Sequence, residues 1–480
     1  MSEASTTRPV VHRSRKRRFA RWLLVTLAGS FLLVVVWNLV KRELTRVEGK
    51  RELAAAIVDA DRDDPDWRWD RLNATRKKPP EGKNGAELIP QIKKRSHADW
   101  GKWQAKDEWK SRLDVTPNVR YSPSVVAQVR RELTDAADAV VLARTLKDYP
   151  FGHREIVLKP NVMDTLLEDT SHTRHAAELL RWDLVLALEE TDTGRATDDL
   201  LAMLNVSRSI GDEPFLISQL IRIAARVMAT RALEHAVAQA GLTEEQLARV
   251  QAAWAADADE PLLLQGLRGD RAAYDTLFRN LADGTLTPDA LSGLRGSGVS
   301  FESYAWWLWR VRLHSERAYY VRWTTQAVEA ARRPPHEQGP LLAALTLPEG
   351  SDMKLAPLFL PAAGKVAGAW HRSMAEARCA VVGTACERFR QQHKRWPDTL
   401  LELVPAFLPA VPLDPYDAEP LRYRKLDNGV VIHSNGVVPP SAVGTKAAPP
   451  AWLPDGIEIG FRLWNPDQRR QPSPPDAEEP

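Results

Sequence analysis

The most constraining feature of this chain lies near its start. From Trp22 to Val40 it reads WLLVTLAGSFLLVVVWNLV, without a charge, and as an α-helix this run would extend about 28 Å, close to the thickness of a bilayer core. Backbone amides in lipid have no water to bond, so such a run is expected to fold as a membrane-spanning helix. Its amino flank carries Arg13, Arg15, Lys16, Arg17, Arg18 and Arg21 with no acid among them, whereas Lys41, Arg42 and Arg46 beyond it are mixed with Glu43 and Glu48. The excess of positive charge marks the cytoplasmic side. Residues 1–21 are therefore expected to form a cytoplasmic basic tail, 22–40 a single transmembrane helix, and the bulk to lie outside the cytoplasmic membrane, in the periplasm. A cleaved signal peptide would have a shorter apolar core ahead of a small-residue cleavage site; here Lys41-Arg42-Glu43 follows at once, which favours an uncleaved anchor. Trp22 and Trp37 fall near the two edges, where amphipathic indole rings prefer to sit.

With 480 residues the chain has room for roughly three structural units. Lys and Arg number 66 against 63 Asp and Glu, a balance that excludes a general positive field for nucleic acid. The two cysteines, Cys379 and Cys386, cannot make a disulfide framework or an all-cysteine zinc site, and on one helix they would stand about 10 Å apart. Small buried helix residues are the simpler reading of both.

Residues 41–123 are expected to be an exposed juxtamembrane connector with short helices, since Arg42 to Ala60 continues a helical pattern into DRDDPDWRWD and RKKPPEGKNG. Asp59, Asp61, Asp63 and Asp70 match some positions of a calcium-binding EF-hand loop. Asp64 stands where that loop needs its glycine, Pro65 follows, and Asp70 replaces the bidentate glutamate. An acidic helix end is the preferred reading.

Residues 124–356 are read as a helical domain, a bundle or an irregular helical repeat. Ser122-Pro123 offers an N-cap with proline at the first helical position, and Thr243 with Gln246 spells a capping box after Gly241. Ala177, Leu180, Leu184 and Leu188 share one helical face, as do Leu216, Leu220, Ile223 and Val227. Helices are expected near 124–148, 171–190, 194–210, 213–240, 243–258 and 260–283, joined by short turns into antiparallel hairpins. Gly293, Gly296 and Gly298 read as a joint. Beyond it, Trp306, Trp307, Trp309 and Trp323 could stack on sugar rings or rest on a membrane surface, although Trp306 and Trp309 have the helical spacing of core residues.

Phosphate loops, dinucleotide fingerprints, the zinc-protease His-Glu-x-x-His and the serine nucleophile elbow are all missing from the sequence. The best metal candidates are His172, His175 and Glu178, whose spacing of three would place two imidazoles and a carboxylate on one helical face; solvated polar residues at a helix start explain the same pattern. The acids in Glu189-Glu190 and in Glu244-Glu245 are adjacent, so their side chains diverge. No catalytic residue and no cofactor is expected, and the chain is read as a non-enzyme.

The last quarter carries more specific motifs. A long amphipathic helix from about Lys365 to His393 would bury Met374, Ala377, Val381, Ala385 and Phe389. It runs into His393-x-x-Trp396-Pro397, a short Leu400 to Val404 segment, the turn Pro412-x-Asp414-Pro415-Tyr416, then Pro420-Leu421-x-Tyr423-Arg424 and a strand from Val430 to Ser434 with Gly436. Leu421 and Tyr423, and then Val431 and His433, alternate as in half-buried strands around Asp427-Asn428-Gly429, and Gly456 to Trp464 would add another strand. These residues, within roughly 100 of the chain, resemble the globular domain of the major pseudopilins of type II secretion. The resemblance implies a long helix on a small antiparallel sheet and a link to secretion-type assemblies. The chain lacks that family's N-terminal prepilin-peptidase site, and Val437, Val438, Pro439 and Pro440 replace its calcium loop; neither filament assembly nor calcium follows. The layout as a whole also resembles an uncharacterised bacterial family of membrane-anchored helical proteins.

The expectation is thus a mainly α protein: transmembrane helix, extracytoplasmic helical bundle or irregular repeat at 124–356, a small C-terminal α+β pseudopilin-like module at 357–464, and a disordered Pro-rich tail at 465–480, with Pro449, Pro450 and Pro454 as a linker before the last strand. It would serve as a scaffold or interaction component of the cell envelope, partnered by the lipid bilayer through 22–40 and by other proteins. A hydrolase without a recognisable motif and a glycan-binding module using tryptophan are the alternatives.

Overall fold

A computed structural model describes residues 13–97, 100–165, 170–287, 289–291, 310–346, 353–436 and 450–473. Helix α1 (Arg13–Asp63) is continuous, and from Phe19 it is long and apolar enough to cross a membrane, as an anchor or a signal helix would be. Its apolar stretch is exposed, with Leu33 and Phe31 more than two-thirds accessible. The same helix then changes role. Gly49, Leu53, Ala56 and Ala60, spaced by one helical turn each, bury against Ala318 and Val321 of helix α12 (Leu313–Arg332), and Trp67 closes the end of the contact. Only glycine fits at position 49, where a Cβ would meet Ser315 Oγ at 2.6 Å.

The region expected to be an exposed connector is therefore packed. Helices α2 (Trp69–Ala74), α3 (Leu88–Arg95) and α4 (Asp107–Leu113) are short, but Trp67, Trp69, Trp100 and Trp103 are buried, as are Ile89 and Ile92. Large aromatic side chains supply the apolar area that such short, polar helices otherwise lack. Asp59, Asp61 and Asp63 lie on the last turns of α1, where Asp61 accepts from Trp67 Nε1 (2.8 Å) and Asp59 from Arg62.

Helices α5 (Pro123–Asp135), α6 (Ala137–Arg144), α7 (Thr170–Glu189), α8 (Thr193–Arg208), α9 (Leu216–Gln239), α10 (Glu244–Ala258) and α11 (Leu262–Asp283) follow. The first expected helix breaks at Ala136. Pro123 does open α5, but the Ser122 hydroxyl bonds Ser124 Oγ (2.9 Å) instead of capping. The capping box at α10 forms as spelled: Thr243 N–H donates to Gln246 Oε1 (2.8 Å) and Gln246 N–H to Thr243 Oγ1 (3.3 Å). Ala177, Leu180, Leu184 and Leu188 are all buried where α7 packs on α8 and α9. Of the second stripe, Leu216 and Ile223 are buried and Leu220 and Val227 half-buried.

After α12 come α13 (Pro335–Ala343), the single turn α14 (Ala356–Phe359) and the long α15 (Ala363–His393). Met374, Ala377, Val381, Ala385 and Phe389 of α15 are all buried. The sheet is antiparallel in the order β1 (Arg422–Leu426), β2 (Gly429–His433), β3 (Gly460–Trp464), with Leu426 opposite Gly429 across a two-residue turn. α15 lies between α9 and α10 on one side and β2 and β3 on the other, so α15 and the sheet share one apolar core with the helical body. At the closest approach, Gly383 faces the Phe461 ring, and a Cβ would come within 2.5 Å of it.

Three expectations for the C-terminal quarter change. Val430, Val431 and Ile432 do not alternate but are all buried, because β2 is the central strand and both its faces are covered. The cover is the segment expected to be a linker, whose Leu453 and Ile457 pack on Val431; Pro450 and Pro454 lie in it, and Pro449 lies outside the described residues. The expected disordered tail is ordered as far as Ser473: Gln471 N–H donates to Asn118 O (2.8 Å) and Arg120 N–H to Gln471 O (3.0 Å). Backbone pairing with the connector supplies what the polar side chains cannot. Residues 474–480, the glycines at 293, 296 and 298, and Val437 to Pro440 lie outside the described residues.

Candidate functional site

Two places combine shape and charge in a way that could serve a function: the junction of α1 with the body, and a cavity between α7 and α9.

The junction is built on one buried carboxylate. Asp64, directly after α1, receives two hydrogen bonds from Arg268, Nη2 to Oδ1 at 2.7 Å and Nε to Oδ2 at 2.9 Å, and a further bond from Arg271, while Arg332 Nη2 lies 3.3 Å away. Burial pushes this carboxyl up, but the Arg268 hydrogen bonds and the charges of Arg271, Arg268 and Arg332 outweigh it and hold the group below its ordinary range. Arg271 is fully buried beneath Trp67, 5.3 Å from the ring centre; desolvation lowers it to about 10 against the pull of Asp64. Arg332 also donates to the Asp63 carbonyl (2.7 Å), closing the C-terminus of α1. Helix α1 is thus joined to α11 and α12 through one carboxylate.

The cavity, of about 740 Å³, has apolar walls from Leu184 and Val185 of α7 and Ile221, Ala225 and Met228 of α9. Its polar groups include Tyr121, Glu178, Arg181 and His235, with Asp114, Arg174 and Arg231 also in the lining and Trp452 from the segment before β3. Arg181 is locked in place: Nε donates to Glu178 Oε2 (3.1 Å), Nη2 to Gln104 Oε1 (3.4 Å), and the guanidinium stacks 4.2 Å from the Trp182 ring centre. His235 packs against Tyr121 with ring centres 5.7 Å apart. Burial, with Arg181 nearby, lowers it to about 4, so the imidazole is neutral at physiological pH. Such a site can hold an amphipathic ligand.

The sequence-predicted metal candidates part company. Glu178 faces the cavity and pairs with Arg181, whereas His175 turns towards the end of α3, its Nε2 2.7 Å from Ser96 Oγ and its Nδ1 3.4 Å from Lys93 Nζ. Burial and then the Lys93 charge lower His175 to about 4. His172 is half-buried one turn earlier. Among the described residues no three His, Cys, Asp or Glu side chains converge as a metal site. Of the adjacent acids, Glu189 takes Arg120 and Glu190 takes Arg130 and Arg195, while Glu244 pairs with Arg388. Cys379 and Cys386 are buried and unbridged, and burial pushes both thiols up, away from the reactive thiolate. Trp323 is core; Trp306, Trp307 and Trp309 lie outside the described residues.

Sequence inspection missed the buried ionic groups. Asp183 and Asp199, 1% and 0% exposed, are clamped by Arg144 and Arg195. Burial and the Asp183 charge drive the Asp199 carboxyl well above its usual range. Asp257 similarly gathers Arg208 (3.0 Å), Arg222 (3.2 Å) and Arg226 (3.4 Å). The signal available was Arg222 and Arg226 one turn apart beside Ile223, inside an apolar stripe, since a buried guanidinium implies a buried acid somewhere in the fold. Which acid it is cannot be read from one dimension. No family model, no curated protein and no solved structure matches the chain, so its function rests on these residues alone.

Proposed function

We propose that the chain is a single-pass protein of the cytoplasmic membrane, N-terminus inside and body in the periplasm, acting as a scaffold or interaction component of the cell envelope. The observation that carries this reading is that one helix serves both as the exposed apolar rod and, through Gly49, Leu53, Ala56 and Ala60, as a packed element of the body. A body fixed to its anchor in this way stands at a set height and orientation above the bilayer, which suits a platform for other proteins. The charge asymmetry around residues 22–40 supports the orientation. The lie of α15 across an antiparallel sheet supports the pseudopilin-like reading of the C-terminal module. Its Asp414 turn supports it too, with bonds from Tyr416 N–H (3.1 Å), Ser434 Oγ (2.8 Å) and Asn435 N–H (2.7 Å).

The test is topology. A phosphatase that is active only outside the cytosol, fused after Pro480, is expected to be active, and the mature protein is expected to retain residues 22–40 by intact mass. An inactive fusion or a chain shortened to residue 41 or beyond would contradict the reading.

A further inference from the structure

A smaller cavity of about 290 Å³ sits where α1 leaves its apolar stretch. Leu39, Arg42, Glu43 and Arg46 of α1 form one wall; Leu281 and Ala282 at the end of α11, Arg310 and Val311 in the turn before α12, and Leu313 and His314 at its start form the other. The cations come from segments about 270 positions apart, so the fold alone assembles them. Leu39 belongs to the run that suits the bilayer core and Arg42 begins the part that suits water, which places this cavity at the headgroup level.

The charge is one-sided. Among the described lining residues Arg42, Arg46 and Arg310 face one acid, Glu43, whose contact with Arg46 is a loose 4.0 Å between exposed side chains. Asp283 lies close by in sequence, but its carboxylate accepts from Thr285 N–H (2.9 Å). His314 Nδ1 is buried with no hydrogen-bond partner among the described residues. Burial, and then the charges of Lys50, Arg46 and Arg317, lower that imidazole, so it adds no positive charge of its own, and among the described lining residues the three arginines outnumber the one acid. Leu39, Leu281 and Val311 add apolar surface beside the cations.

We propose that this cavity binds the phosphate of an anionic phospholipid in the leaflet from which α1 emerges, with Arg46 and Arg310 clasping the headgroup and Leu39, Leu281 and Val311 receiving its glycerol and upper acyl carbons. Guanidinium groups suit phosphate because their planar N–H pairs match its oxygens. Juxtamembrane basic clusters recognise anionic lipid by the same charge logic. The proposal rests on the anchored reading above.

The test is native mass spectrometry of the full-length protein in detergent with equimolar phosphatidylglycerol and phosphatidylcholine. Phosphatidylglycerol is expected to be retained at least fivefold over phosphatidylcholine. The R46Q/R310Q variant is expected to lose that preference, while R46K/R310K keeps part of it and R130Q/R131Q, on α5, keeps all of it. Excess inorganic phosphate is expected to leave the lipid bound, because phosphate cannot use the apolar wall. Equal retention of the two lipids, an unchanged preference in R46Q/R310Q, or full displacement by inorganic phosphate would overturn the site. Release of the protein from membranes by alkaline carbonate would instead overturn the anchoring, and this site with it.

Discussion

Asp64 and Arg268 are 204 positions apart in sequence, and their side chains meet through two hydrogen bonds of 2.7 and 2.9 Å that fasten the end of α1 to α11. Arg271 and Arg332 share the same carboxylate. Removing it leaves a fully buried guanidinium without a counter-ion. Asp64→Ala is expected to destabilise the protein by about 3–5 kcal/mol, measured by denaturant unfolding of the full-length chain. It is also expected to raise protease sensitivity near residue 63. A change under about 1 kcal/mol would show that the junction does not depend on this carboxylate.

His371 is 4% exposed, with Nε2 3.0 Å from Gln338 Oε1, and burial followed by the charge of Arg378 lowers it to about 4. Below pH 6.5 the unfolded chain takes up a proton that the folded one refuses. Stability from this group is therefore present above pH 6.5 and lost as the pH falls towards 4, by about 3 kcal/mol at most. His371→Asn should flatten the acid limb of a stability-against-pH curve. An unchanged slope would mean that the imidazole is protonated in place.

Glu234 runs the other way. It is 4% exposed and accepts from Arg462 N–H (2.7 Å), yet burial, reinforced by Glu376, raises it to about 7. A folded pKa above the unfolded value means that its contribution is complete below pH 4.5 and lost as the pH rises through 7. Glu234→Gln keeps an acceptor for the Arg462 N–H. It should be more stable than the wild type at pH 8, by up to about 3 kcal/mol, and closer to it at pH 4.5. The slopes of His371 and Glu234 oppose each other between pH 4.5 and 6.5, so each variant is read as its stability difference from the wild type at each pH.

Gly383 and Phe461 define how closely α15 lies on the sheet. With only 2.5 Å between a Cβ at 383 and the ring, Gly383→Ala forces a shift of two packed elements, at an expected cost of about 1–3 kcal/mol. Phe461→Leu should recover part of that loss in the double variant. A strictly additive pair would mean that the helix moves independently of the ring.

Thr243→Ala removes half of the capping box at α10 and should cost about 1 kcal/mol by thermal unfolding, with the body otherwise intact.

Much of the local structure was legible because it depends on neighbours in sequence. The capping box at Thr243 and Gln246 and the stripe Ala177, Leu180, Leu184 and Leu188 are short-range patterns that the fold reproduces. So are the five buried positions of α15 and the turn at Asp427-Asn428. The failures have a common origin. β2 loses its alternation because the segment around Leu453 covers its second face. Residues 465–473 are ordered because Gln471 pairs with Asn118 and Arg120. His175 and Glu178 separate because Ser96 and Lys93 take one, Arg181 the other. Leu453, Asn118 and Arg120, and Ser96 and Lys93 are partners outside any local window, and they decided these outcomes.

By itself, then, the sequence determined the apolar rod at 22–40, the mainly helical body and the small terminal sheet, since hydrophobic period, caps and turns act over a few residues. The tertiary structure alone decided that the rod's helix continues as part of the core, and that Asp64 gathers three arginines. It also decided that cations from α1 and from the turn before α12 share a cavity at the edge of the apolar stretch. Burial and charge pairing are properties of what surrounds a residue in three dimensions, and the order of the chain does not record them.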